Sequence, residues 1–172
     1  MTCFKANIRT ALFVVLLAAL PAFAHAGEFP QPRPGLHTGG QPSLEQLDAL
    51  AKQGVRTVID LRGDGEDRGY DEAAELQRRD LRYLKLPIGG AQDLTPANAA
   101  ALKRLLVESG DGVLLHCASG NRVGALLALM AAQEERLPPA QALDLGRAAG
   151  LKSLAPAVAE KLGVPAEPKP TP

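Results

Sequence analysis

The chain alternates short, dense apolar runs with longer stretches in which apolar residues recur at every third or fourth position, rhythms that predict strands and helices respectively. Thr57 to Leu61 (TVIDL), Arg82 to Leu86 and the run Val113 to His116 that stops at Cys117 read as strands. Ser43 opens a helix, with Gln46 completing a capping box, and Gly54 stops it after Gln53. A second helix is predicted from about Tyr70 to Arg79, beyond the acidic, Gly-punctuated loop Gly63 to Gly69. Pro87 to Leu94 is a loop, and Thr95-Pro96 starts a third helix that runs to about Glu108. Asp111-Gly112 turns the chain into the Cys117 strand. Only helices follow: Val123 to Glu135, Pro139 to Ala149 closed by Gly150, and Ala155 to Leu162.

Strands that alternate with helices require right-handed crossovers, so the expected fold class is α/β with a mainly parallel sheet flanked by helices. Sites in such sheets lie beyond the carboxyl ends of the strands. Cys117 stands at one such end, and the loops after Leu61 and Leu86 bring Asp60, Arg62 and Gly89 to Asp93 toward the same place.

The front of the chain differs from the rest. Lys5 and Arg9 precede an apolar run from Ala11 to Leu20, and Ala24-His25-Ala26 supplies the small-x-small pattern of a signal peptidase site. Residues 1–26 are therefore expected to be an export signal, cleaved to leave a periplasmic or secreted protein with no stable membrane insertion. Cleavage removes Lys5, Arg9 and Cys3 from a chain that holds 19 basic and 19 acidic residues and two cysteines. The mature part stays nearly neutral, which excludes nucleic acid as an expected partner, and Cys117 becomes its single thiol. Residues 27–35 form a Pro-rich lead-in, and residues 163–172, ending AEPKPTP, are expected to be a disordered Pro-rich tail.

The chemistry concentrates in VLLHCASGNRVGA, Val113 to Ala125. A strand, a tight loop and a helix N-terminus in that order let the backbone N–H groups from Ala118 to Arg122 converge on an oxyanion, with the Arg122 guanidinium holding two oxygens. The same field favours Cys117 as a thiolate nucleophile.

That loop, together with GQPSLEQLDALAKQGVRTVIDLR and ALDLGRAAGL, resembles the cysteine-dependent tyrosine and dual-specificity phosphatase superfamily. Within it, the branch named for the beta-lactamase-hydrolase-like phosphatase domain is the most similar. The resemblance spans Leu36 to Leu162. It implies one small domain with a four- to five-stranded sheet, no metal, no cofactor, and hydrolysis of a phosphomonoester through a phosphocysteine. The substrate would be a phosphorylated small molecule, lipid or protein; oligomeric state is left open. Carried over by position, Cys117 attacks phosphorus, Arg122 binds the equatorial oxygens, the amides of Ala118, Ser119, Gly120 and Asn121 complete the cradle, and His116 supports the thiolate. Two departures keep other readings open. Four residues separate Cys117 from Arg122 where five are usual in the superfamily, and four is the spacing of rhodaneses. Val123 replaces the usual Ser or Thr after the Arg, whose hydroxyl helps the thiolate leave; Ser119 is the available substitute. A rhodanese-like sulfurtransferase and a non-catalytic phosphate-binding module therefore stand as alternatives.

The general acid falls to Asp93 in PIGGAQDL, which could equally cap the following helix, with Asp60 as the other candidate. Glu66, Asp67, Asp71 and Glu72 read as a solvated loop and helix start, and His37 as an exposed loop residue. Arg62 either approaches the phosphate or pairs with a neighbouring acid.

Overall fold

The computed structural model describes residues 29–165. The export-signal expectation for residues 1–26, and the AEPKPTP part of the tail, lie outside the described residues.

Among the described residues four strands form one sheet in which every pairing is parallel: β1 (Leu36–Gly39), β2 (Thr57–Asp60), β3 (Arg82–Lys85) and β4 (Val113–His116), in the order β1-β4-β2-β3. The first of these was not predicted. LHTG places His and Thr in a run flanked by glycines and carries no apolar alternation, so only its pairing with β4, Leu36 opposite Val113 through Gly39 opposite His116, makes it a strand. His37 is consequently buried at 4% exposure, against the expectation of an exposed loop residue, and burial lowers its pKa. The lead-in is fixed to the same edge, because Thr38 N–H donates to the Pro30 carbonyl at 2.9 Å.

Among the described residues six α-helices flank the sheet: α1 (Leu44–Lys52), α2 (Glu72–Gln77), α3 (Pro96–Ser109), α4 (Asn121–Glu134), α5 (Pro139–Ala148) and α6 (Ala155–Leu162). Ser43 and Gln46 form the expected capping box, Asp71 caps α2 through Ala74 N–H, and Thr95 caps α3 through Asn98 N–H. Helix α2 is shorter than predicted. Its true start is the Asp71 cap, and Asp80, with a φ of 55°, turns the chain sharply into β3.

Strand side chains alternate between faces, and this period decides what meets what. Val58 and Leu114 pack with Leu47, Leu50, Leu76 and Leu81 on the α1/α2 side. Ile59, Val113, Leu115 and Cys117 pack with Leu102, Leu126, Met130 and Leu151 on the α3–α6 side. Helix α4 is the central one, buried along Val123 to Ala131. Its Gly124 is a close-approach position: a Cβ there would strike the backbone of Leu151 and Gly146, so glycine lets α4 and α5 meet backbone to backbone. Among the described residues no helix is long and apolar enough to cross a membrane.

Candidate active site

The Cys117 loop is built where β4 hands over to α4. Cys117 N–H donates to the Gly39 carbonyl at 3.2 Å, Gln41 N–H to the Ala118 carbonyl at 3.3 Å, and Gly40 bridges to Ser119, so the turn after β1 lies along the loop and fixes its course. Gly120 closes the turn with a φ of 84°, a left-handed conformation that a side chain would strain, and its N–H points back at the sulfur, donating to Cys117 Sγ at 3.1 Å. The sulfur thus meets a hydrogen-bond donor at the N-terminal, positive end of the α4 dipole. Asn121 faces the other way. Its Oδ1 accepts from the backbone N–H groups of Lys152 (2.8 Å) and Leu154 (3.2 Å), and its Nδ2 donates to Ser153 Oγ, so its side chain locks the α5–α6 connection to the loop.

Arg122, in the first turn of α4, is held from two directions. Nη1 donates to Glu66 Oε1 (2.6 Å) and to the Ile88 carbonyl (2.8 Å), while Nη2 donates to Glu66 Oε2 (2.7 Å). This two-pronged pair raises the Arg122 pKa; the Glu66 bonds contribute most, burial opposes them, and the charge of Cys117 adds to them. Glu66 is held at about 2, chiefly by Arg122, with burial opposing and Gly63 N–H contributing. The Gly-rich loop after β2, expected to be solvated, thus carries the residue that orients the Arg122 guanidinium. Sequence gave no sign of it, because the partners lie 56 positions apart.

Asp93 lies in a single 3-10 turn, Ala91–Asp93, ahead of α3. It does not cap α3, a task that Thr95 performs; its Oδ2 accepts from Gly89 N–H at 2.6 Å and closes the loop on itself. Because the Ile88 carbonyl is bound by Arg122, this brings the Asp93 carboxyl to the segment next to the guanidinium. Val123, in the first turn of α4, is fully buried in the core. Ser119 is exposed, and among the described residues the polar contact to the sulfur comes from Gly120 rather than from its hydroxyl.

Asp60 and Arg62 are brought together on the opposite face. Asp60 Oδ1 accepts from Arg62 N–H (2.8 Å) and Nε (2.9 Å), and its Oδ2 from Arg62 Nη2 (3.0 Å), Tyr83 OH (2.8 Å) and Arg68 Nε (3.4 Å). Burial pushes the Asp60 carboxyl up, but Arg62, His116 and Tyr83 outweigh it and hold it at about 2. Arg62 also bonds to Glu72 and donates to Gln41 Oε1 at 2.6 Å, so it pairs with acids instead of approaching the phosphate. Glu72, expected to be solvated, is 1% exposed, and its Oε1 lies 3.1 Å from His116 Nε2. Asp60, Glu72 and His116 present ligand atoms within 4.8 Å of one another, yet the Arg62 guanidinium already occupies the cationic position between the two carboxylates. A metal ion would have to displace it.

The family model described as the DSP-PTPase phosphatase fused to NAD+ kinase matches residues 31–148, the span from the lead-in through the Cys117 loop to the end of α5. The chain belongs to this family of phosphatases. A beta-lactamase hydrolase-like protein from Xylella fastidiosa is 35% identical over 125 residues, covering 66% of this chain and 29% of its own length. One from Agrobacterium fabrum is 28% identical over 119 residues, covering 67% and 27%. The chain thus spans less than a third of the relatives it matches. Among solved structures, a Neisseria meningitidis protein described as a phosphatase superposes with a TM-score of 0.65 at 19% identity, covering 77% of this chain and 96% of that one. TpbA of P. aeruginosa, in a Cys-to-Ser form in complex with pTyr, gives a TM-score of 0.60 at 20% identity, covering 79% and 89%. Tk-PTP in the active form gives 0.60 at 21%, covering 78% and 95%. Matches this distant establish a common fold, that of the dual-specificity and tyrosine phosphatases.

Proposed function

We infer that the protein is an exported phosphatase that hydrolyses a phosphomonoester through a phosphocysteine on Cys117. The observation that carries the reading is the pairing of Cys117, whose sulfur accepts the Gly120 amide, with an Arg122 braced by Glu66 on the same short loop. In the first step the Cys117 thiolate attacks phosphorus, an S–P bond forms, and the bond to the leaving oxygen breaks. The guanidinium edge that Glu66 leaves open and the loop amides carry the charge that builds on the equatorial oxygens. Asp93 supplies the proton to the leaving oxygen; its Oδ1 has no hydrogen-bond partner among the described residues. Water then attacks phosphorus, its proton returns to Asp93, and the thiolate is released. Export follows from the basic, apolar and Ala-x-Ala segments of residues 1–26, and the substrate is a phosphorylated small molecule, lipid or protein.

The test is turnover of an aryl and an alkyl phosphate by the mature protein. Hydrolysis of both that Cys117→Ser abolishes is the expected result, with Asp93→Asn slowing the alkyl ester by about 100-fold and the aryl ester little. Thiocyanate formation from thiosulfate and cyanide without phosphate release would establish the sulfurtransferase instead. Phosphate binding with neither activity would establish a binding module.

A further inference from the structure

Strand periodicity sets Cys117 and His116 on opposite faces of the sheet, and His116 lies opposite Asp60 in the β2–β4 register. The imidazole is sealed, at 0% exposure, between the Cys117 loop and α2. Its Nδ1 is 3.4 Å from the Cys117 carbonyl oxygen; its Nε2 is 3.1 Å from Glu72 Oε1 and 3.9 Å from Asp60 Oδ1. The Nε2 and Oε1 atoms meet without a well-aligned hydrogen bond, and neither has another partner among the described residues. Both ring nitrogens therefore face oxygen. A neutral imidazole has one N–H and satisfies only one of these oxygens, so the enclosure calls for a second proton on the His116 ring, facing Glu72.

The charges around the pair say what that proton balances. Asp60 from β2 and Glu72 from α2 are matched by Arg62 and Arg68 from the loop between them. Tyr70, Tyr83 of β3 and Gln41 after β1 complete the surroundings without charge, the phenols held neutral by burial. A further proton leaves the enclosure one charge positive. Across the strand, Arg122 is already neutralised by Glu66, so the group able to offset that charge is the Cys117 sulfur as its thiolate.

We propose that Glu72 is a positioning residue for the Cys117 chemistry: through His116 it holds, one residue from the nucleophile, the proton whose charge balances the thiolate. In net terms the S–H bond of Cys117 breaks, its electron pair stays on sulfur, and the proton is taken up by the His116–Glu72 pair. The proposal rests on Cys117 being the nucleophile, but its readouts are protonation and alkylation rather than turnover.

The first measurement is nitrogen-15 NMR of the imidazoles in the unmodified protein, with His116 assigned by its loss in His116→Asn. Protons on both His116 nitrogens in the pH range where iodoacetamide labels Cys117 rapidly is the expected result; a single N–H there overturns the proposal. The second is labelling against pH in Glu72→Gln, which should react about 10-fold more slowly near neutrality, with the profile displaced upward by about one pH unit. Glu75→Gln, in the same helix but with a carboxylate that pairs with Arg78 and Arg79 rather than with His116, should label like the parent. Unchanged or faster labelling of folded Glu72→Gln overturns the proposal, and if that variant does not fold, the NMR result on the parent decides. Normal thiolate behaviour in a protein with no phosphatase activity would count against the proposed function alone.

Discussion

Glu66 is the residue whose position changes the reading of the site most. Its carboxylate takes both terminal nitrogens of Arg122 and so aligns the remaining edge of the fork toward the Cys117 loop. Misplacing a charge-stabilising group by an ångström costs on the order of 100-fold in rate. Glu66→Ala should accordingly lower kcat/KM by about 10- to 100-fold on aryl and alkyl esters alike, measured by phosphate release; a rise in activity would mean that Glu66 competes with substrate for the guanidinium. Cys117, Arg122 and the Gly120 turn were legible in the chain, because an apolar run ending in Cys, followed by Gly and Arg before an alanine-leucine helix, leaves few other geometries. Glu66 and Glu72 were not. Acids in a Gly-rich loop and at a helix start are usually solvated, and burial here depends on partners far away in sequence. One signal did exist for Glu72: it lies four residues before Leu76, hence on the same face of α2, and Leu76 is the apolar residue that faces the core.

At the scale of elements, the register of the sheet and the crossing of α4 with α5 hold the loop in place. Three of the four strands and all six helices were readable from periodicity and caps, and β1 was missed because its backbone pairing, not its side chains, makes it a strand. The α4/α5 contact was hidden for a related reason, since small residues announce nothing about which neighbour approaches them. Gly124→Ala drives a methyl into the backbone of Leu151 and Gly146, and the Gly150–Leu154 segment it would displace is the one that Asn121 ties to the Cys117 loop. Overpacking of this kind costs about 1–3 kcal/mol or more. Urea unfolding should show a loss of that size, together with reduced activity in the protein that remains folded. A variant as stable and active as the parent would mean that the helices separate without disturbing the loop.

For the whole molecule, the buried ion cluster links stability to pH. Asp60 and Glu66 have folded pKa values of about 2, below their ordinary values of 3.8 and 4.5. A depressed carboxylate contributes stability that is fully present above its unfolded value and is lost as the pH falls through the folded one. The contribution of these two carboxylates should thus be flat above about pH 5 and fall between about pH 4.5 and 2, with Asp60 alone accounting for about 2 kcal/mol and the partly exposed Glu66 for less. Asp60→Asn should unfold more easily at neutral pH, because Arg62 is left buried with Glu72 as its single anion, and should flatten the acid limb. Denaturant midpoints across that range check both. An acid limb of undiminished steepness in the variant would assign the pH dependence to other carboxylates.

The central claim, that Cys117 acts as a phosphoryl acceptor, is tested most directly by trapping the enzyme during turnover. Mature protein mixed with an aryl phosphate, quenched rapidly in acid and digested, should give a peptide carrying Cys117 with one added phosphoryl group, absent from Cys117→Ser and severely reduced in Arg122→Ala. A Cys117 peptide that carries one extra sulfur after thiosulfate, and no phosphoryl group after any phosphate ester, would contradict the account.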